Sequence, residues 1–271
     1  MADCYAVLGS PIKHSLSPLI FKLFAEQTGQ ALEYQAILVK PEDLASKLVQ
    51  LRDLGFKGVN LTTPLKEQAL SLVAVCSPRA CSAKAINILS FREDIHYYGD
   101  NSDGLGFIRD LTQIKKYSVQ AKSVLILGAG GAARGIMSAL LEAKPRHVTV
   151  ANRNQEKAMQ LIGDFWQHRI PLSYIKWSEI DQNTYDLVIQ CTSAGLQGQV
   201  LALPNDILNE GACCYDLAYG VAAQGFLDWA KEQGATLIHD GLGMLVEQAA
   251  EAFYIWRQAR VNTVPILNSL S

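Results

Sequence analysis

The sequence predicts an α/β protein of two lobes. Three observations carry that expectation. Apolar runs of strand length alternate with segments of helical period, two such series are separated by the polar stretch 112–122, and a glycine cluster directly follows the apolar run 123–127. A chain of 271 residues is long enough for two cores.

Taken in order, 5–8 reads as a strand, 19–27 as a helix, 34–38 as a strand, 42–54 as a helix and 59–61 as a third strand. The next helix is expected over 66–75, and 86–91 with 97–98 reads as a hairpin closing a first α/β unit. Residues 104–111 form a helical link. The second unit opens with 123–127, apolar enough to be buried on both faces of a parallel sheet. Helix 132–142, strand 147–151, helix 155–165, strands 186–190 and 213–217, helix 225–233 and strand 236–238 continue a βαβ rhythm, that of a doubly wound sheet. The helical segment 244–258 is apolar on one side and, coming after the last strand, is expected to fold back onto the first lobe.

Composition excludes several classes of function. With 49% hydrophobic and 18% charged residues the chain is globular rather than disordered, and a net charge of −2 leaves no broad cationic face for nucleic acid or anionic lipid. No window offers eighteen apolar residues for a membrane span, and the first twenty, with Asp3, Lys13 and two prolines, are not expected to form a secretory signal. The six cysteines show neither a C-x-x-C pair nor the dense spacing of a disulfide framework, so reduced thiols in a cytoplasmic protein are expected. The five histidines are scattered without H-x-x-x-H spacing, so no metal site is expected.

Gly128-Ala129-Gly130-Gly131-Ala132-Ala133 fits G-x-G-x-x-A between a strand and a helix, the context a dinucleotide site requires. Gly128 permits the tight turn, Gly130 lets the backbone approach a pyrophosphate, and Ala133 permits close helix packing. Read structurally, the same cluster is a glycine turn. At the end of the next strand, Ala151-Asn152-Arg153-Asn154 lacks the carboxylate that would hold a ribose 2′-hydroxyl. Arg153 can instead pair in a planar fork with a 2′-phosphate, with Lys157 adding charge, which favours NADP over NAD. The alternative is a solvated Arg and Lys at a helix start.

The first lobe carries three polar clusters. In Gly9-Ser10-Pro11-Ile12-Lys13-His14-Ser15-Leu16-Ser17-Pro18, the hydroxyls of Ser15 and Ser17 can meet an anionic group or merely cap a helix. In Asn60-Leu61-Thr62-Thr63-Pro64-Leu65-Lys66, alternation points Asn60 and Thr62 the same way, and Lys66 at a helix start opposes the macrodipole, hinting at a role other than helix stability. Gly99-Asp100-Asn101-Ser102-Asp103-Gly104 lies at the junction of the units, either as part of a binding site or as an Asp-rich surface turn.

Together, in this order and spacing, these segments resemble the shikimate dehydrogenase family, as do Ala85-Ile86-Asn87 and Asp240-Gly241-Leu242-Gly243-Met244-Leu245 with Gln248. The resemblance spans nearly the whole chain. It implies an N-terminal substrate domain made of 1–103 with 240–271, a Rossmann-like NADP domain over 104–239, and reversible reduction of 3-dehydroshikimate to shikimate with NADPH. It implies that Ser15 and Ser17 hold the substrate carboxylate, that Thr62, Asn87, Asp103, Tyr219 and Gln248 contact ring hydroxyls or flank the reacting carbon, and that Lys66 and Asp103 are the catalytic pair. It places Gly128, Ala129, Gly130, Gly131 and Ala132 on the pyrophosphate, Asn152, Arg153 and Lys157 at the 2′-phosphate end with Asn154 beside them, and Leu217 and Gly241 at the nicotinamide end. A monomer or homodimer is expected, with closure of the two lobes over the ligands.

Departures from the family pattern are Ile88 after Asn87, Leu65 before the lysine, Gln190-Cys191, Asn154, Lys157, and Ala223-Gln224-Gly225 after Tyr219. None removes a group of the implied catalytic pair. A relative that also takes quinate or NAD is the first alternative, which Arg153 opposes in its NAD form. A non-catalytic dinucleotide sensor is the second, opposed by the presence of Lys66 and Asp103.

Overall fold

The computed structural model describes residues 2–94 and 96–270 and divides into two compact units, Met1–Gly106 with Leu245–Ser271, and Phe107–Met244. The first unit begins with β1 (Asp3–Gly9), α1 (Ser17–Thr28), β2 (Leu32–Leu38), α2 (Leu44–Asp53) and β3 (Gly58–Leu61). It continues through β4 (Val75–Cys76), α3 (Pro78–Ala83), β5 (Ile88–Arg92), β6 (His96–Asp100) and the start of α4 (Asp103–Arg109).

The sheet of this unit runs β2-β1-β3-β5-β6-β4. Its central strand β1 is parallel to both neighbours, β2 and β3, and is buried from Tyr5 to Leu8, as a run of four apolar residues demands. Strands β3, β5 and β6 are antiparallel, with Asn60 opposite Ile88 and Ile88 opposite Asp100. That register brings the ends of β3 and β6 beside the start of β5. Helix α1 stops at Gly29, which takes the left-handed conformation (φ 64°) that glycine adopts without strain.

The second unit contains β7 (Ser123–Leu127), α5 (Gly131–Glu142), β8 (His147–Ala151), α6 (Gln155–Asp164), β9 (Leu172–Ile175), β10 (Tyr185–Gln190), β11 (Leu208–Asp216), α7 (Gln224–Glu232) and β12 (Leu237–His239). All neighbours in its sheet are parallel, in the order β12-β11-β10-β7-β8-β9. This is the doubly wound order, and the chain reverses its direction of winding between β7 and β10. Nucleotides bind past the carboxyl ends of strands at such a switch point.

Two helices finish the chain, α8 (Leu242–Arg257) and α9 (Thr263–Leu270). Helix α8 folds back as expected. Trp256 stacks on Tyr5 of β1 with ring centroids 4.7 Å apart, and Phe253 meets Phe24 of α1 edge-on at 5.6 Å. Burying aromatic rings of this size stabilises by roughly 1.5–3 kcal/mol each, enough to fix the helix on the sheet.

Several expectations need correction. The helix expected over 66–75 is a turn followed by a 3₁₀ segment, Gln68–Leu72, and then β4. The Lys66 carbonyl, which an α-helix would offer to the Leu70 N–H, accepts from Ile86 at 2.8 Å instead, while Leu70 donates to Glu67. Lys66 therefore does not stand at an α-helix N-terminus, and the macrodipole argument for it lapses. Helices α3 and α9 and the short edge strand β9 carried too little periodicity to be read. Cys76 and Cys81 form a disulfide with Cα atoms 5.9 Å apart, where reduced thiols were expected. The corner at Ser77 turns β4 into α3 and brings them together. Cys4, Cys191, Cys213 and Cys214 are free. No helix among the described residues is long and apolar enough to cross a membrane.

Candidate active site

The first unit gathers polar side chains where β3 and β6 end and β5 begins. Asp103, the first residue of α4, is fully buried, and its Oδ2 lies 2.6 Å from Lys66 Nζ, whose side chain is 13% exposed. The other carboxylate oxygen, Oδ1, accepts a hydrogen bond from Asn87 Nδ2 at 2.8 Å. The lysine thus presents its remaining ammonium hydrogens to the one accessible edge of a buried pair.

Asn87 is the hub of the cluster. Its Oδ1 accepts from the Ser102 N–H at 2.9 Å, and its Nδ2 is shared among Asp103, Ser102 Oγ and Gln248 Oε1, the last two at 3.1 Å. The Ser102 hydroxyl donates to the Gln248 carbonyl at 3.0 Å, tying α8 to the turn before α4. Asn101 holds that turn from within, accepting the Asp103 N–H on Oδ1 at 2.9 Å and donating from Nδ2 to the Ala85 carbonyl at 2.8 Å. The backbone on either side of Asn87 is held too: its N–H donates to the Asp100 carbonyl, and its carbonyl accepts from Leu61.

A second chain of hydrogen bonds, not assigned from sequence, supports Asn87 from behind. Tyr34 donates its hydroxyl to Asn60 Oδ1 at 2.7 Å, and Asn60 Nδ2 donates to the Asn87 carbonyl at 3.0 Å. Burial drives the Tyr34 pKa well above the usual tyrosine value, so the hydroxyl stays a donor. Asn60 belonged to a cluster visible in the sequence, whereas Tyr34 lies on β2 with no local signal to link it to the site.

Ser15 and Ser17 are half-buried and buried at the start of α1, where Ser15 Oγ accepts the Ser17 N–H at 3.3 Å. The N-cap position is taken by Leu16 with no side-chain cap, so neither hydroxyl closes the helix by the usual cap bond. Thr62 is half-buried beside Gly9, where a Cβ would come within 2.3 Å of the Thr62 methyl, so only glycine lets β1 pass so near the threonine.

In the second unit, the glycine loop lies between the carboxyl end of β7 and α5. Gly128 has φ +105°, and a Cβ there would stand 3.0 Å from the Thr192 side chain. Gly130 is the N-cap of α5, and no side chain caps that helix. A loop with this backbone and an uncapped helix start fits a pyrophosphate. Arg134, on the first turn of α5, is buried and paired with Asp164 at 2.6 Å, so its charge is spent within the fold. At the end of β8, Arg153 and Lys157 are exposed. Asn154 caps α6, its Oδ1 accepting the Lys157 N–H at 3.0 Å, and Asn152 Nδ2 donates to the Asn154 carbonyl at 2.8 Å. The capping bond occupies the Asn154 side-chain oxygen.

Leu217 and Gly241 meet in one corner of this unit. The Gly241 N–H donates to the Ala218 carbonyl at 2.7 Å, and a Cβ on Gly241 would come within 2.3 Å of the Leu217 carbonyl. Two carboxylates brace the corner. Asp216 accepts the Ala218 N–H at 2.8 Å, and Asp240 accepts the N–H groups of Gly220 and Leu242, both at 3.1 Å. Burial pushes Asp216 up to about 8, against the pull of the Ala218 hydrogen bond, and the charge of Asp240 adds to the rise. Tyr219 is half-buried in the same loop. Among the described residues no group of three or more His, Cys, Asp or Glu side chains is placed to hold a metal ion.

Comparison with known proteins agrees with this arrangement. Residues 7–89 match the family model of the shikimate dehydrogenase substrate binding domain, 110–198 that of shikimate / quinate 5-dehydrogenase, and 241–270 that of the shikimate 5′-dehydrogenase C-terminal domain. The shikimate dehydrogenase (NADP(+)) of Cellvibrio japonicus is 45% identical, over 100% of this chain and 97% of its own. The crystal structure of an Ael1 enzyme from Pseudomonas putida is 41% identical with a TM-score of 0.89, covering 100% of this chain and 98% of that one. Shikimate 5-dehydrogenase from Thermus thermophilus, solved in complex with NADP(H) and shikimate, is 32% identical with a TM-score of 0.85, covering 98% of each chain. With three family models matched in order and full-length relatives above 40% identity, the chain belongs to the shikimate dehydrogenase family.

Proposed function

We propose that this chain catalyses the reversible reduction of 3-dehydroshikimate to shikimate with NADPH, a step of aromatic amino-acid biosynthesis. The observation that carries the reading is the contact between Lys66 and Asp103, 2.6 Å apart and largely shut off from water, with Lys66 and the Asn87 that holds Asp103 inside the region matched by the substrate binding model and Asp103 beyond it. A buried ion pair adds little to stability, because desolvation offsets most of its attraction. Chemistry at its accessible edge accounts better for its presence.

NADP, held by the glycine loop, would supply or take up a hydride at its nicotinamide ring. When a hydride reaches the ketone carbon, negative charge grows on the carbonyl oxygen and must be met by a proton or a fixed cation. Lys66 offers both: its ammonium donates to that oxygen, and Asp103 holds the ammonium in place while accepting from a neighbouring ring hydroxyl. A preorganised donor of this kind lowers the barrier by about 3–4 kcal/mol. Asn87, Gln248, Thr62 and Tyr219 orient the ring hydroxyls, and Ser15 and Ser17 take the carboxylate.

On the cofactor side, Gly128 to Ala132 hold the pyrophosphate, Arg153 and Lys157 the 2′-phosphate with Asn152 beside them, and Leu217 and Gly241 the nicotinamide end. The exposure of Arg153 and the uncapped start of α5 support NADP binding. A cytoplasmic location is part of the proposal, on the four free cysteines and in spite of the Cys76–Cys81 disulfide. The test is an assay of NADP reduction with shikimate, paired with quinate and with NAD. Turnover with shikimate and NADP upholds the reading, and no turnover with any pair removes it.

A further inference from the structure

Asp100, the last residue of β6, stands three positions before Asp103 and is 5% exposed. Its carboxylate takes four hydrogen bonds: from Ser77 Oγ at 2.5 Å, from Arg79 Nε at 2.7 Å, from Arg79 Nη2 at 2.9 Å and from the Asn101 N–H at 2.7 Å. Arg79 on α3 therefore grips it with a two-pronged fork, and its third nitrogen lies 3.4 Å from Glu251 of α8, which also accepts from Arg260 at 3.1 Å. None of these charged groups belongs to the set that meets substrate in the reading above.

Burying two opposed charges contributes little to fold stability, while a rigid fork fixes an orientation. The orientation fixed here is that of the turn 100–103. Asp100 anchors its first N–H, Asn101 anchors the Asp103 N–H, and Asp103 anchors Lys66. We infer that Arg79 and Asp100 are positioning residues, a clamp at the root of the turn that sets where the Asp103 carboxylate stands against Lys66. This inference rests on the reading of Lys66 and Asp103 as the catalytic pair. A lysine at position 79 keeps the charge but loses the fork, so Asp100 keeps three of its four hydrogen bonds and Asp103 shifts by a fraction of an ångström.

The experiment compares Arg79→Lys with the parent enzyme for shikimate oxidation by NADP, alongside Lys66→Ala. Misplacement of this size is expected to lower kcat by roughly tenfold to a hundredfold. The KM for shikimate rises and the KM for NADP stays, a split that loss of folded molecules alone would not produce. Should Arg79→Lys melt below the assay temperature, Ser77→Ala, which removes one of the four bonds on Asp100, carries the test with the same readouts. An unchanged kcat, or a fall in kcat with both KM values unmoved, overturns the clamp. Near-normal turnover in Lys66→Ala would instead overturn the reading of the pair itself, so the two failures are distinguishable.

Discussion

Asn87 and Asp103 lie sixteen residues apart in the chain and share a hydrogen bond of 2.8 Å from amide to carboxylate. That bond leaves the second carboxylate oxygen to Lys66, at 2.6 Å. The pair therefore consists of one immobilised acceptor and one donor with hydrogens to spare.

Replacing the donor tests the pair most directly. Lys66→Ala is expected to lower kcat by about a hundredfold or more, roughly 3 kcal/mol, with a modest change in the KM for shikimate. Steady-state kinetics at fixed NADP checks it. Asp103→Asn should harm KM and kcat together, since one carboxylate both meets substrate and holds the lysine. A loss confined to NADP affinity would contradict that assignment.

In the proposed reading, cofactor choice rests on Arg153, an exposed side chain that can be changed without risk to the fold. Arg153→Ala is expected to raise the KM for NADP about tenfold, the worth of one charge-assisted hydrogen bond, and to leave the kinetics with NAD and the melting temperature as they were. The ratio of kcat/KM for NADPH and NADH measures the effect. An unchanged ratio removes the 2′-phosphate role of Arg153.

The raised pKa of Asp216 makes stability depend on pH. In the unfolded chain an aspartate titrates near 4, whereas in the folded protein Asp216 titrates at about 8. The folded state holds the extra proton between these values, so the stability this group confers is full below about pH 4 and is lost as pH rises through 8. Asp216→Asn mimics the neutral acid and keeps an oxygen for the Ala218 N–H. Its melting temperature should exceed that of the parent at pH 9 by an amount worth a few kcal/mol, and the gap should close toward pH 4. Thermal melts across that range decide the matter: a gap independent of pH would refute the protonation argument.

Gly243 tests packing at the start of α8. A Cβ there would fall 1.9 Å from Asp110 Oδ1, and the other oxygen of that buried carboxylate accepts the Tyr215 hydroxyl at 2.6 Å. Gly243→Ala should therefore destabilise by about 1–3 kcal/mol, the usual range for overpacking a closed site. Calorimetry checks it, and an unchanged melting temperature would mean that the carboxylate moves aside freely.

Much of this molecule was legible in one dimension. The strands β1, β7, β8 and β10 are short and apolar through most of their length, and burial on both faces leaves no other reading. The glycine loop announces itself because a left-handed Gly128 and a close turn admit few other residues. Short or edge elements were not legible: β9 pairs on one side only, and α3 has six residues, too few to show a period. The segment after Lys66 was misread because the hydrogen bond that breaks the helix comes from Ile86, twenty residues on.

The sequence by itself determined the alternation of strands and helices, the cofactor loop and the residue types of the site, since each follows from local periodicity or from motifs of adjacent residues. Only the tertiary structure decided how the polar clusters join. Asn60, Asn87, Asp103 and Gln248 stand on different elements, and the register of β3, β5 and β6, with α8 folded back, brings them within hydrogen-bonding distance. Hydrogen bonds reach about 3 Å, and chain separation carries no information at that scale until the strands are paired.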